Sequence, residues 1–403
     1  MAPSVPIPLD SAEYEKEPWN FQNIDVFVLT EADYATAIAV DTYCRAKGKK
    51  FIYADLKGVF GRLFNDYGDN FEVLDKNGEE LQDCMIKSIT NAEQGVVTLL
   101  DNNKHNLEDG DEVMFVNVEG MKLKAGEKQL DPAFKSDSIN ETIHKVQVLT
   151  RFSFKIGNTQ HFEAYERNGI VKPMRMKRTI NFKSFEDVLK KGIANFKEDD
   201  NLMFSFAEKM GQNIISHIAF EALDTFKVQN KGAMPRPWNL EDCTKFLEIA
   251  KEVAKPYDQK PEEWKADGIE LKLLHLFCFQ AQGVFNPMAA FFGGFIAQEV
   301  VKAITQKFTP AIQAFYYDAS EVLPDLKPEQ HCVNAEAFES FLKSVNTNEI
   351  NHRSDGLRIV LGAEMVDKLA HSKVFMVGAG AIGCELLKNY AMLGVGTGKA
   401  EVN

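Results

Sequence analysis

The pattern of apolar and polar positions along the chain changes character several times. Asp25-Val-Phe-Val-Leu-Thr30 is a continuous apolar run of strand length. Glu31 to Ala46 then places Ala35, Ala37, Ile38, Val40 and Tyr43 on one helical face. Gly48 ends that helix, and Lys50-Phe-Ile-Tyr-Ala-Asp55 reads as a second strand. Strand, helix, strand predicts an α/β fold with a parallel, doubly wound sheet. No glycine-rich phosphate loop precedes this unit, so the sheet reads as if it starts in its middle. Gly58 to Asp66 adds another short apolar piece, and the residues before Asp25 read as a proline-containing lead-in.

From about Gly68 the runs become short and alternating: Phe71 to Leu74, Gly95 to Leu100, Glu112 to Val118, His144 to Leu149 and Phe152 to Ile156. Asp75-Lys-Asn-Gly78 and Leu107-Glu-Asp-Gly-Asp111 are turn signals between them. Roughly five or six strands at this spacing predict a small barrel or sandwich. Asp109 and Asp111 lack the spacing of a calcium loop and read as solvated turn residues. At Ile180 the period turns helical. Ser184 caps a helix with Asp187 three residues on, and Phe185, Val188 and Leu189 supply its apolar face. Asn201 to Phe226, Leu240 to Ala254 and Glu270 to Ala281 complete four helices, the composition of a bundle. His217 and His275 stand alone on these helices and read as satisfied core or edge residues.

Asn286 to Lys302 is helical, with Pro287 suited to its first turn and Gly293-Gly294 open to close backbone approach. Ile312 to Asp318 reads as a strand. The acidic stretch Ser320 to Glu349 reads as a linker with a short helix around Ala335 to Ser344, and Arg353 to Leu369 opens a new unit. That unit leads to the most informative stretch. Val374 to Val377 is apolar throughout and reads as a strand buried on both faces; Gly378, Gly380 and Gly383 follow, and helical spacing continues from Cys384 to Met392. In this context the first glycine allows a tight turn, the second lets a phosphate approach the backbone, and the third lets helix and strand pack closely. The helix N-terminus then offers N–H groups to an anion. The alternative is a glycine-rich turn that binds nothing.

Composition narrows the function classes. The 403 residues are 45% hydrophobic and 26% charged, ordinary values for a globular protein of two to four domains. A formal charge of −13 argues against a phosphate-backbone binder, so no nucleic-acid partner is expected. No membrane partner is expected either, because Gly283 to Thr305 is interrupted by Asn286, Pro287, Gln298, Glu299 and Lys302. The N-terminus has neither a basic nor an apolar signal region. Six scattered cysteines, at 44, 84, 243, 278, 332 and 384, show neither CxxC pairs nor metal-ligand spacing. They suit a reducing compartment, and no metal site is assigned.

Several stretches, in order, resemble one family. These are Phe51-Ile-Tyr-Ala-Asp-Leu-Lys-Gly-Val-Phe-Gly61, Leu107-Glu-Asp-Gly-Asp111, Val118-Glu-Gly-Met121 and Ile180-Asn-Phe-Lys-Ser184. They continue with Ala290-Phe-Phe-Gly-Gly-Phe-Ile-Ala-Gln-Glu299, Lys307-Phe-Thr-Pro310 and Val377-Gly-Ala-Gly-Ala-Ile-Gly-Cys-Glu385. Together they resemble the single-chain ubiquitin-activating enzymes. The resemblance implies a ThiF or Rossmann-like inactive adenylation half over 1–67 and 276–320. Its interruptions are a β-rich first catalytic-cysteine half-domain over 68–176 and a four-helix bundle over 177–275. A linker over 321–350 and the start of the active adenylation half over 351–403 complete the expected layout.

The resemblance further implies ATP and Mg2+ as cofactors, ubiquitin or a related modifier as substrate, ubiquitin-conjugating enzymes as partners of the whole protein, and a cytoplasmic and nuclear location. It assigns Gly378, Ala379, Gly380, Ala381, Ile382 and Gly383 to the nucleotide. No catalytic residue and no metal ligand is assigned here, because the family's catalytic cysteine and ATP-site aspartates lie beyond the matching stretch. The expectation is a portion of the enzyme, inactive alone. Cys384 is not the thioester cysteine by position, and Glu401 mimics the ribose acid of a dinucleotide fold without being the family's acid. The competing readings are an activator of another ubiquitin-like modifier, a nicotinamide-dependent oxidoreductase resting on GxGxxG alone, and a non-catalytic scaffold.

Overall fold

The computed structural model describes residues 23–78, 80–100, 104–126, 137–175, 177–191, 212–257, 259–265, 268–323 and 353–398. The lead-in, the linker helix expected near Ala335, and Glu401 lie outside them. The chain divides into two compact units: one holds residues 1–71, 181–305 and 310–403, and the other holds 72–180 with 306–309.

The first unit is built on a four-stranded sheet. Its strands are β1 (Val26–Thr30), β2 (Lys50–Lys57), β3 (Phe60–Asp66) and β4 (Ala314–Asp318), adjacent in that order. Helix α1 (Tyr34–Ala46) crosses from β1 to the parallel β2; its N-cap Asp33 accepts the Thr36 N–H at 2.7 Å. The β2/β3 and β3/β4 pairs are antiparallel. The expected parallel sheet therefore holds only for the β1/β2 pair. The reason is that Gly58, at φ +57°, turns the chain straight back as a hairpin, where a parallel partner needs a crossover.

β3 is buried along its whole length, and alternate residues face opposite sides. Gly61 and Asn65 face helix α6 (Asn286–Thr305): a Cβ at Gly61 would lie 2.2 Å from the Phe292 ring. Arg62, Phe64 and Asp66 face α1 and the bundle. By length and a mean hydropathy of 1.2, α6 could cross a membrane. Here Met288, Phe292, Glu299 and Ala303 form a buried face of it, and Glu299 is tied into the sheet. Pro287 does fall in its first turn, whereas a Cβ at Gly293 or Gly294 would meet nothing within 4 Å, so no close backbone approach is seen there.

The described helices of the bundle region are α2 (Phe185–Lys191), which packs on α1, and α3 (Gln212–Gln229), α4 (Leu240–Ala254) and α5 (Ile269–Phe279), which pack on one another. Ser184 Oγ accepts the Asp187 N–H at 3.1 Å, and Asn239 caps α4 through the Asp242 N–H. His217 is buried between the Tyr316 and Tyr257 hydroxyls at 2.6 and 2.9 Å, and burial lowers its pKa. His275 Nδ1 lies 2.6 Å from the Leu271 carbonyl. Both are satisfied by their own surroundings.

Two buried carboxyls join α1, β3 and the bundle. Asp41 Oδ2 accepts the Phe185 N–H at 2.7 Å, and Arg45 Nε donates to Asp66 Oδ2 at 2.5 Å. Burial and the adjacent Asp66 carboxylate push the Asp41 carboxyl up to about 8. Its folded value exceeds its unfolded value, so the folded state retains a proton that the unfolded chain loses. The stability this contributes is complete below about pH 4 and is lost as pH rises towards 8, at up to about 1.4 kcal/mol per pH unit. Asp41→Asn should flatten that decline, with its advantage over the parent growing from pH 5 to pH 8. Urea midpoints at the two pH values check this; parallel slopes would refute it.

The second unit is antiparallel. Its main sheet runs in the order Gln147–Thr150, Ser153–Lys155, Val96–Leu99, Cys84–Ile89, Ile170–Met174, Glu112–Val116, Ile143–Lys145. The two outermost strands are consecutive in the chain with only buried Val146 between them, so the sheet curls until its edges meet, as in a barrel. Val97, Leu99, Val113, Phe115, Phe154 and Val171 point into its core. The expected single strand His144 to Leu149 is thus two strands. Asp109 and Asp111 are not merely solvated. Asp109 accepts the Val148 N–H at 2.6 Å, while Asp111 accepts the Glu108 N–H at 2.9 Å and pairs with Lys76 at 3.1 Å.

Candidate functional site

The glycine loop belongs to the first unit and follows two short helices, α7 (Asp355–Leu361) and α8 (Ala363–His371). Gly362 breaks them at φ +81°, a conformation that favours glycine. The bundle holds α7 by its last carbonyls, which an α-helix leaves without internal partners. Trp238 Nε1 donates to the Ile359 carbonyl at 2.8 Å, and Gln280 Nε2 donates to the Val360 carbonyl at 3.3 Å.

Residues Lys373 to Val377 form no strand, contrary to the expectation from their composition. Phe375 is 92% exposed and Val377 85%. An apolar run becomes a buried strand only where neighbouring strands take its N–H and C=O groups, and no described strand does so here.

The turn itself is formed. Gly378 takes φ +96°, Gly380 occupies the N-cap position, and α9 runs over Ala381–Leu393. The Cys384 N–H donates to the Gly380 carbonyl at 2.9 Å, the first bond of the helix. Gly380 has no side chain to cap it, and the space where its Cβ would lie is open to 4 Å. At Gly383 a Cβ would lie 2.4 Å from the Gly378 carbonyl oxygen, so only glycine lets the helix close on the turn. Ala379 and Ala381 lie between these glycines, and Ile382 is 78% exposed. The opposite end of α9 closes on Gly394 at φ +74°, with the Val395 N–H bonded to the Tyr390 carbonyl at 3.0 Å. The arrangement offers an anion the first N–H groups of α9, the helix dipole and an approach free of side chains.

Cys384 is exposed rather than packed, with Sγ 3.4 Å from the Ala379 carbonyl. Two buried charge networks escape a reading by periodicity. Glu299 Oε1 pairs with Lys302 at 2.6 Å, and its Oε2 accepts from Asn65 at 2.7 Å and from the Ala311 N–H at 3.0 Å. Arg62 lies between the rings of Tyr34, Tyr53 and Phe220, donates to the Tyr34 and Tyr53 hydroxyls, and faces Asp55 at 3.6 Å. The only sequence signal for the first is a Glu-x-x-Lys step on an otherwise apolar helix; the second has none, because it is assembled from four separate elements.

Sheet, barrel, bundle and glycine turn define an α/β protein with two large insertions. Residues 92–175 match the ubiquitin-activating enzyme E1 FCCH domain, 176–254 the ubiquitin-activating enzyme E1 four-helix bundle, and 353–398 the ThiF family. The chain is 35% identical over 377 residues to ubiquitin-like modifier-activating enzyme 1 of Rattus norvegicus, covering 93% of this chain and 32% of that protein. It is 36% identical over 372 residues to ubiquitin-activating enzyme E1 1 of Candida albicans (92% and 33%). Identity to ubiquitin-like modifier-activating enzyme 6 of Homo sapiens is 35% over 375 residues (92% and 32%). The chain belongs to the ubiquitin-activating enzyme family, and it spans about a third of the length of these relatives.

Proposed function

We propose that this chain is the scaffold-bearing portion of a ubiquitin-activating enzyme and that Gly378 to Gly383 cradle the phosphates of ATP. The observation that carries this reading is the formed turn, with Gly380 open and the first N–H groups of α9 uncapped by any side chain. The sheet of β1 to β4 serves as the core of the ThiF-like inactive half, the barrel and bundle as its insertions, and residues from about 351 as the start of the active half. The barrel contributes to the wall facing ubiquitin.

In the whole protein ATP turns the C-terminal carboxylate of ubiquitin into a good acyl donor: the carboxylate oxygen attacks the α-phosphorus, pyrophosphate leaves, and AMP becomes the leaving group. An enzyme thiolate then attacks the acyl carbon and releases AMP, giving a thioester. This chain's own contribution to that sequence is binding and orientation. Its loop N–H groups hold phosphate oxygens, and no described side chain is assigned a proton transfer or the Mg2+ that accompanies ATP.

No described strand pairs with the exposed segment Val374 to Val377, which supports the reading that the chain alone is inactive. ATP–pyrophosphate exchange with purified chain and ubiquitin tests this, with no exchange expected. The equal identities to modifier-activating enzymes 1 and 6 leave the modifier open, and an exchange panel over ubiquitin-like proteins with the whole protein resolves it.

A further inference from the structure

Two stacked ring pairs set the register of α4 against α5. Trp238, just before α4, stacks on Phe279 with centroids 5.0 Å apart, and Phe246 stacks on Phe277 at 6.0 Å. Trp238 precedes Phe246 while Phe279 follows Phe277, so the helices run antiparallel. Cys243 lies between the first partners and Cys278 between the second, which brings the two thiols to the same level. They are 1% and 0% exposed, and the Cys278 thiol is near enough to Cys243 to raise its pKa. The other described cysteines sit elsewhere: Cys44 on α1, Cys84 in the barrel and Cys384 exposed on α9. We propose that Cys243 and Cys278 are an oxidisable pair that closes as a disulfide and locks α4 to α5.

The lock lies beside the residues that hold α7. Trp238 and Gln280, which flank the pair, are the residues that hold the C-terminal carbonyls of α7. Closing the pair therefore fixes the platform from which α7 and α8 lead to the loop. The oxidant that suits so buried a site is a small peroxide. One thiolate attacks a peroxide oxygen, giving a sulfenic acid and one water after proton transfer; the second sulfur attacks the sulfenic sulfur and expels another water. Two thiols and one hydrogen peroxide thus become one disulfide and two waters, with two electrons passing from sulfur to oxygen. The neighbouring Cys278 thiol and burial hold the Cys243 thiol well above its ordinary range, so the reaction is slow and accelerates with rising pH.

The test treats the purified full chain with excess hydrogen peroxide, denatures it in alkylating agent, and maps the peptides by mass. The expected product links the Cys243 and Cys278 peptides, with a mass lower by two hydrogens and reversed by dithiothreitol. The inference is overturned if both cysteines remain alkylatable once exposed Cys384 is fully oxidised. It is equally overturned if they appear as separate sulfinic acids or are joined to other cysteines. As a second readout, oxidation should raise the Tm of the parent and leave that of Cys278→Ser unchanged; equal shifts would count against the lock.

Discussion

Glu299→Ala should lower the stability of the first unit by about 3–5 kcal/mol, the cost of removing one partner from a buried ion pair. The carboxylate is fully buried and receives the Lys302 ammonium, the Asn65 amide and the Ala311 N–H. Its removal strands an ammonium that is itself only 19% exposed and takes away the acceptor used by the Asn65 amide, the Ala311 N–H and the Tyr67 hydroxyl. Burial and the same carboxylate push the Tyr67 phenol up, so that hydroxyl remains a donor to Glu299. Glu299→Gln keeps an acceptor oxygen and should cost less than the alanine change. Urea unfolding of the three proteins checks the order; an alanine variant within about 0.5 kcal/mol of the parent, as for an ordinary surface change, would contradict it.

Trp238→Ala is the second large effect, again about 3–5 kcal/mol. The indole is fully buried, stacks on Phe279, and supplies the N–H that caps the Ile359 carbonyl. Truncation opens a cavity between α4 and α5 and removes one of the two bonds by which the bundle grips α7. Trp238→Phe restores most of the packing but not the donor, so it should cost roughly 1–3 kcal/mol, the desolvation penalty of the orphaned carbonyl. Hydrogen exchange gives the specific signature: amides of α7 and α8 should lose protection in both variants, while the barrel strands keep theirs. Uniform loss across both units would show that Trp238 has no particular role at α7.

How much of this is legible in the sequence depends on how local each feature is. Leu240–Ala254 falls where its apolar period places it, because that signal is contained in the helix itself. The strand Ile170–Met174 is absent from the strands expected from the sequence, and it contains Pro173, a residue that argues against a strand with neighbours on both sides. The structure shows why it is tolerated: pairing with Cys84–Ile89 involves only Ile170 and Val171, so at Pro173 the ladder is one-sided. The hairpin at Gly58 defeats the parallel-sheet expectation because an apolar run does not state its direction. The spacing of Gly378, Gly380 and Gly383 matches the turn that forms, since each glycine answers a steric need within the loop. The fate of Val374 to Val377 is not local, because a strand exists only by virtue of its neighbours. The Glu299 and Arg62 networks are hidden for the same reason, their members being far apart in the chain.

The central claim is that this chain carries the scaffold and phosphate loop of ubiquitin activation without the activity itself. The most direct test is ubiquitin-dependent ATP–pyrophosphate exchange with the purified chain, beside a whole ubiquitin-activating enzyme as the positive control. The account predicts exchange indistinguishable from the protein-free background, both with and without ubiquitin. Clear exchange by the chain alone, dependent on ubiquitin and abolished when ATP is replaced by NAD, would contradict it.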